Sequence, residues 1–268
     1  MIIKPKVITP YEFRISMKAC FTVDLDRDVN FLNGIEAGSL DRGQGTAPRF
    51  VSSEKGAGII QEVLDETGIK ATFFAETTTL SKTDSFDIVG SNEIAIHGVD
   101  HEDITLMTED EIETMLGNAS DTVKKITGMR PKGFRAPFMR YDERLFPLLR
   151  KIGVRYDSSS YGNTVTMIDG ITEIPVSQGT DINGRKMAAY LWPMHEGIRS
   201  PNDYVELAAK NELFVFATHT WHMAESRDRG LMDADEMKKN KEHLAHIISS
   251  LLDSGFEFVT MDSLIRVP

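Results

Sequence analysis

Short apolar runs rich in β-branched and aromatic residues alternate along the chain with stretches whose apolar positions recur every three and four residues. Strands are predicted over Ala19–Asp24, Lys70–Phe74, Glu93–His97, Gly133–Ala136, Glu173–Val176, Leu213–Thr218 and Phe256–Thr260. Several of these runs are continuous rather than alternating, the pattern of strands covered on both faces, as in parallel sheets and barrels. Between them, Ile59, Ile60, Val63 and Leu64, and again Leu145, Leu148, Leu149 and Ile152, fall on one helical stripe, with Gly68 and Gly153 placed as C-caps. Thr108-Glu109-Asp110-Glu111 has the form of a capping box and opens a helix to about Ile126. Asp233 opens a late helix through Leu244, Ile247, Ile248 and Leu251 that ends near Gly255. The βα alternation covers nearly the whole chain, so one α/β domain over residues 1–268 is expected. Two irregular segments, about Arg27–Lys55 and Ser158–Arg199, are expected over the C-terminal strand ends, where βα folds build their sites.

Charge narrows the partners. Lys and Arg number 30 against 41 Asp and Glu, a net charge of −11, which opposes binding to nucleic acid or an anionic membrane surface. Cys20 is the only cysteine, so neither an internal disulfide nor a multi-cysteine metal site is available. Lys4, Pro5, Lys6 and Pro10 break up the apolar residues of the N-terminus, and no stretch approaches the roughly 20 apolar residues of a membrane span. A cytoplasmic location is expected on that reading. No glycine-rich phosphate loop is present, which counts against nucleotide chemistry. Homo-oligomerisation is left open.

The predicted strand ends carry the candidate chemistry. Phe21-Thr22-Val23-Asp24-Leu25-Asp26 closes an apolar strand with two carboxylates, which are either solvated loop acids or buried groups that need a cation. His97 ends another strand, and His101 stands four residues on, close enough to share an ion if the segment turns helically. Composition alone gives about 0.2 such pairs in a chain like this, so the histidines gain weight only from a carboxylate on a neighbouring strand. Two imidazoles and a carboxylate leave a position open for water or substrate. Arg135 emerges from Gly133-Phe134 just before Pro137, either as a surface cation or as a fixed orienter of a carboxylate. His219 follows Leu213–Thr218, with Trp221 and His222 in the loop beyond, where His222 is expected at the cleft rim. His195, His243 and His246 are read as structural or solvated, and the 13 methionines as core packing.

In this order the motifs resemble the polysaccharide deacetylases, the carbohydrate esterase 4 or NodB-homology family. The resemblance rests on the Asp24-Leu25-Asp26 pair, Gly68-Ile69-Lys70-Ala71-Thr72-Phe73-Phe74, His97-Gly98-Val99-Asp100-His101, Arg130-Pro131 through Arg135-Ala136-Pro137, and Gly153-Val154-Arg155-Tyr156-Asp157-Ser158-Ser159. It implies a distorted, incomplete (β/α) barrel of about seven parallel strands. It also implies one divalent metal on Asp26, His97 and His101, with Asp24 as general base, Arg135 orienting it and His219 as general acid. Zn²⁺ suits such ligands, and Co²⁺, Ni²⁺ or Fe²⁺ are also admitted. The implied reaction is removal of an N-acyl group, acetyl above all, from an amino-sugar compound or oligosaccharide, with the backbone N–H of Phe138 at the oxyanion. The alternatives are hydrolysis of a linear or cyclic non-sugar amide on the same fold, or glycan binding without catalysis. Three departures bear on the substrate. Phe138-Met139 stands where an aromatic-glycine pair is usual, and Phe216-Ala217-Thr218 lacks the usual leucine. The Asp-Trp motif that braces the arginine has Trp192 as its nearest candidate.

Overall fold

The computed structural model describes residues 17–29, 31–32, 35–36 and 49–265. The N-terminal residues 1–10 and most of the first irregular segment therefore lie outside the described residues. A curled sheet is built from β1 (Lys18–Leu25), β2 (Thr72–Ala75), β3 (Glu93–Ile96), β4 (Gly133–Phe134), β5 (Tyr156–Asp157), β6 (Thr166–Ile168), β7 (Ile171–Glu173), β8 (Leu213–His219) and β9 (Glu257–Phe258). Its order is β8-β1-β2-β3-β4-β5-β7-β6, with β9 beside β1. Every pairing is parallel except that of β6 with β7. The main helices are α1 (Val51–Thr67), α2 (Glu109–Thr127), α3 (Leu145–Lys151), α4 (Pro201–Ala208) and α5 (Ala234–Asp253). The expected capping boxes are formed, Thr108 with Glu111 on α2 and Asp233 with Glu236 on α5. Among the described residues no helix is long and apolar enough to cross a membrane.

The two-residue period of β1 sorts its side chains between two cores. Phe21, Val23 and Leu25 join the large core under the helices. Cys20 points the other way, into a smaller barrel interior with Phe74, Ala95, Tyr156, Ile174, Val215 and Met261. Thr22 and Asp24 continue on the inner face of Cys20, so a carboxylate is delivered to the barrel mouth by alternation alone. Gly133 is required by the same inner packing, since a Cβ there would stand 1.9 Å from the Tyr156 ring.

Two elements depart from expectation. The strand predicted at Glu173–Val176 pairs instead over Ile171–Glu173. Pro175 has no N–H for a ladder, and the turn at Asp169-Gly170, both at positive φ, folds β6 back onto β7. The segment expected to be irregular at Ser158–Arg199 thus supplies two strands of the sheet and part of its closure. Ser177 N–H donates to Val215 C=O at 2.9 Å, Ala217 N–H to Ala189 C=O at 2.8 Å, and Leu191 N–H to Ala217 C=O at 2.7 Å. These bonds bring the segment beyond β7 against β8 without a full ladder. At the other end, β1 starts before β2 does, and β9 fills that edge at Lys18 and Ala19.

Candidate active site

Asp24 lies near the end of β1 and is 1% exposed. Its Oδ1 accepts from Arg135 Nη1 at 2.8 Å, and its Oδ2 accepts from the Tyr190 hydroxyl. Arg135, just beyond β4, also donates from Nε to Ser158 C=O and from Nη2 to Thr22 Oγ1 and Ser158 Oγ, each at 3.0 Å. Its guanidinium sits 4.2 Å from the Phe74 ring centroid. A buried ion pair persists only where its remaining donors are satisfied, and here they are. Burial would raise the Asp24 pKa, but the charge of Arg135 and the Tyr190 bond hold this carboxyl well below the usual range.

Asp26, His97 and His101 bring their ligand atoms within 4.8 Å of one another. Both carboxylate oxygens of Asp26 and Nδ1 of His101 are buried without a hydrogen-bond partner. An unpartnered buried carboxylate is costly, so this donor set fits a cation. His97 Nδ1 lies 2.9 Å from the Arg135 carbonyl, which as acceptor fixes the proton on Nδ1 and leaves Nε2 for a metal. Burial pushes the pKa of both histidines down, so the neutral, ligating form prevails. Burial and the Asp24 charge push Asp26 up in turn. The histidines do not lie on a helix, contrary to the condition set by their spacing. Gly98 at φ 79° and His101 at φ 60° make a left-handed turn instead, and Val99 N–H donates to Glu102 Oε2 at 2.9 Å to close it.

His219 ends β8 with Nε2 3.8 Å from Asp24 Oδ2, its ring between Tyr190 and Trp221. Burial lowers its pKa to about 3, so the resting imidazole is neutral. His222, expected at the cleft rim, is among the residues lining the cleft. It is fully buried, stacked on Trp221 at 4.3 Å, with Nε2 2.9 Å from Glu196 Oε1. Chiefly through that bond, the Glu196 carboxyl is held at about 2. His195, read as structural, is buried with Nε2 2.9 Å from Thr218 Oγ1. His246 bonds Asn202 on the surface, and His243 is half-buried on α5.

These groups open into one cleft of about 180 Å³, lined also by Ala136, Phe138, Met139, Tyr161, Trp192 and Arg227. That is below the roughly 300–1,000 Å³ of a drug-sized pocket and suits one substituent of a larger molecule. Phe138 packs against His101 with centroids 4.4 Å apart. Phe138 and Met139 both hold positive φ, at 58° and 56°, a conformation glycine would adopt more easily. Trp192 does not brace Arg135; it carries the Arg227 guanidinium 5.1 Å over its ring, and Ser158, Thr22 and Phe74 brace Arg135 in its place.

Behind Arg135 lies a carboxyl pair that the pattern did not single out. Asp157 and Glu173 are register partners on β5 and β7, and both are buried. Asp157 Oδ1 accepts from Ser159 Oγ at 2.7 Å, and Ser159 Oγ accepts from Ala136 N–H at 2.8 Å. Burial and the Glu173 charge push Asp157 well above the usual carboxylate range. Tyr190 was also missed. It sits on an isolated bridge to Ala217 outside any periodic run, so only the aromatic cluster Tyr190-Leu191-Trp192 hinted at it.

A family model described as polysaccharide deacetylase matches residues 55–156, a stretch that holds His97, His101 and Arg135. A peptidoglycan deacetylase-like protein of Gibberella zeae is 35% identical over 113 residues, 40% of this chain and 33% of that one. A peptidoglycan deacetylase of Helicobacter pylori is 26% identical over 149 residues, 54% of this chain and 50% of that one. The matched parts thus span half or less of these relatives. Among solved structures, a carbohydrate esterase 4 pseudoenzyme of Bacillus anthracis superposes with a TM-score of 0.57 at 12% identity, covering 94% of this chain and 66% of that one. A family 4 carbohydrate esterase of Streptomyces lividans gives 0.52 at 13% identity, covering 89% and 90%. With the curled, mostly parallel sheet and the motifs in their expected order, residues 55–156 match the polysaccharide deacetylase family model, and the fold of the described chain is similar to that of the carbohydrate esterase 4 structures.

Proposed function

We propose that the protein is a metal-dependent amidohydrolase that removes an N-acyl group, acetyl above all, from an amino-sugar compound or oligosaccharide. The observation that carries this reading is the juxtaposition, in one cleft, of an arginine-held Asp24 with the unpartnered ligand set Asp26, His97 and His101. The names of the two relatives, a peptidoglycan deacetylase and a peptidoglycan deacetylase-like protein, support an N-acetylated glycan as substrate. Strands from both ends of the described chain enter one sheet, which supports a single domain over residues 1–268.

Asp26, His97 and His101 would hold one divalent ion, with Zn²⁺ the best match to two imidazoles and a carboxylate. When bound, such an ion acidifies water toward a pKa of about 7 and polarises the acyl carbonyl. Asp24, with Oδ1 fixed by Arg135, accepts the proton of the attacking water at Oδ2. The lowered pKa of Asp24 makes it a weak base, so it keeps the proton only briefly. His219, neutral at rest, takes that proton at Nε2 and delivers it to the leaving amine, without which the C–N bond does not break. The Phe138 backbone N–H supports the oxyanion, and Tyr190 fixes the free edge of Asp24 until the substrate enters.

Metal-loaded protein should release acetate from N-acetylglucosamine oligomers. Release from cyclic ureides or imides alone would move the substrate outside the sugars. Glycan binding without release of any acyl group would leave a binding protein.

A further inference from the structure

Of the residues lining the cleft, Arg227 carries a permanent positive charge that no carboxylate neutralises among the described residues, although the protein as a whole is strongly acidic. Its position is built rather than incidental. Glu196 Oε1 accepts the Arg227 backbone N–H at 2.7 Å, Glu196 Oε2 accepts from Ser226 Oγ at 3.2 Å, and the same carboxylate is held from behind by buried His222. The Glu196 charge is therefore spent on backbone and imidazole, while the guanidinium lies over the half-buried Trp192 ring. Stacking uses only the face of a guanidinium and leaves its in-plane N–H donors directed outward, a geometry matched to carboxylate or phosphate oxygens.

We propose that Trp192 and Arg227 form a subsite for a sugar bearing an anionic group, placed beside the sugar whose N-acyl group enters the cleft. The proposal rests on the amidohydrolase reading for its orientation, because the small cleft admits the acyl-amide end and leaves the neighbouring ring outside. The ring packs along the Trp192 edge, and the carboxylate or phosphate receives the free guanidinium donors. A guanidinium preorganised on an aromatic ring loses little side-chain freedom on binding, so the anion is selected by charge-assisted hydrogen bonds rather than by general attraction.

The test compares four probes on metal-loaded protein. They are the neutral β-linked N-acetylglucosamine tetramer, the hyaluronan tetrasaccharide in which N-acetylglucosamine alternates with glucuronic acid, and N-acetylglucosamine 1-phosphate set against free N-acetylglucosamine. Binding is read by calorimetry and acyl release by acetate assay, on the parent and on Arg227→Gln and Arg227→Lys. The expected result is on the order of 10-fold tighter binding of one anionic probe than of its neutral counterpart. Arg227→Gln should abolish that ratio, and Arg227→Lys, which keeps the charge but not the planar fork, should restore it in part. The stronger of the two anionic probes identifies the group. Equal affinities in the parent, or a ratio that survives Arg227→Gln, would overturn the subsite. The two readings fail separately. An Arg227-dependent anion preference without acyl release sinks the hydrolase and keeps the subsite, whereas acyl release without preference does the reverse.

Discussion

Asp24 and Arg135 meet at the floor of the cleft through a 2.8 Å bond between Oδ1 and Nη1, and the carbonyl of the same arginine receives His97. One residue beyond β4 therefore orients both the acidic group on β1 and an imidazole just beyond β3. This coupling fixes what a change at Asp24 should do. Asp24→Asn preserves shape and the acceptor for Arg135 but removes the proton acceptor. Turnover should fall by on the order of 10²–10⁴ while bound metal and substrate affinity are kept, as read by kinetics beside elemental analysis. Undiminished turnover would remove Asp24 from the mechanism.

Metal occupancy is the second expectation. Protein purified without a His-tag should carry one divalent ion per chain, and His97→Ala and His101→Ala should each lose most of it. Because an ion that binds only the folded state stabilises it by about 4 kcal/mol at 1,000 times its Kd, a chelator should lower Tm and the ion should restore it. A Tm indifferent to chelator, with metal content unchanged in both variants, would reject the ligand set.

The two histidines of the His219-Thr220-Trp221-His222 turn should separate cleanly. His219→Ala should remove most of the turnover, since its Nε2 is 3.8 Å from Asp24 Oδ2. His222→Ala should instead act through Glu196 and the Arg227 backbone, changing KM more than kcat. Full activity in His219→Ala with an inactive His222→Ala would transfer the proton-delivering role.

Stability should depend on pH through Asp157. An acid whose pKa in the folded protein lies above its unfolded value, near 4, binds its proton more tightly when folded. The stability it contributes is complete below that value and declines as pH rises toward the folded pKa. Asp157→Asn cannot ionise, so its urea midpoint should gain on that of the parent as pH is raised from about 4 through neutrality. Parallel midpoint curves would show that Asp157 is ionised in the fold.

The legible part of this site is the part written on strands. Continuous apolar runs marked β1, β3 and β8, and parallel pairing then fixed that Asp24, His97 and His219 share a mouth. Alternation within β1 puts Thr22 and Asp24 on the face of Cys20, but that this face is the inner one is seen only in the structure. What could not be read was held by isolated contacts. Tyr190 reaches Asp24 from a single bridge, β5 is two residues long, and Glu196 meets His222 across 26 positions of sequence. No periodicity records such pairings. Positive φ at His101 and at Met139 was equally silent, since neither is the glycine that would have announced a left-handed turn.

The bonds from Ser177, Ala189 and Leu191 to β8 have an evolutionary consequence. The proposed ligand set and the Asp24–Arg135 pair come from the ends of β1, β3 and β4, but Tyr161, Tyr190, Trp192 and Glu196 all come from one contiguous stretch that enters the sheet through β6 and β7 and meets β8 by a few backbone contacts. The proposed reaction and much of the cleft wall are thus inherited on separate tracts of the gene, with Arg227 on neither. Exchange of residues 159–199 together with residue 227 between relatives, Tyr190 being kept for its bond to Asp24, should move substrate preference while the strand-end residues stay unchanged. Diversification of this lineage is accordingly expected to concentrate in that tract and at residue 227.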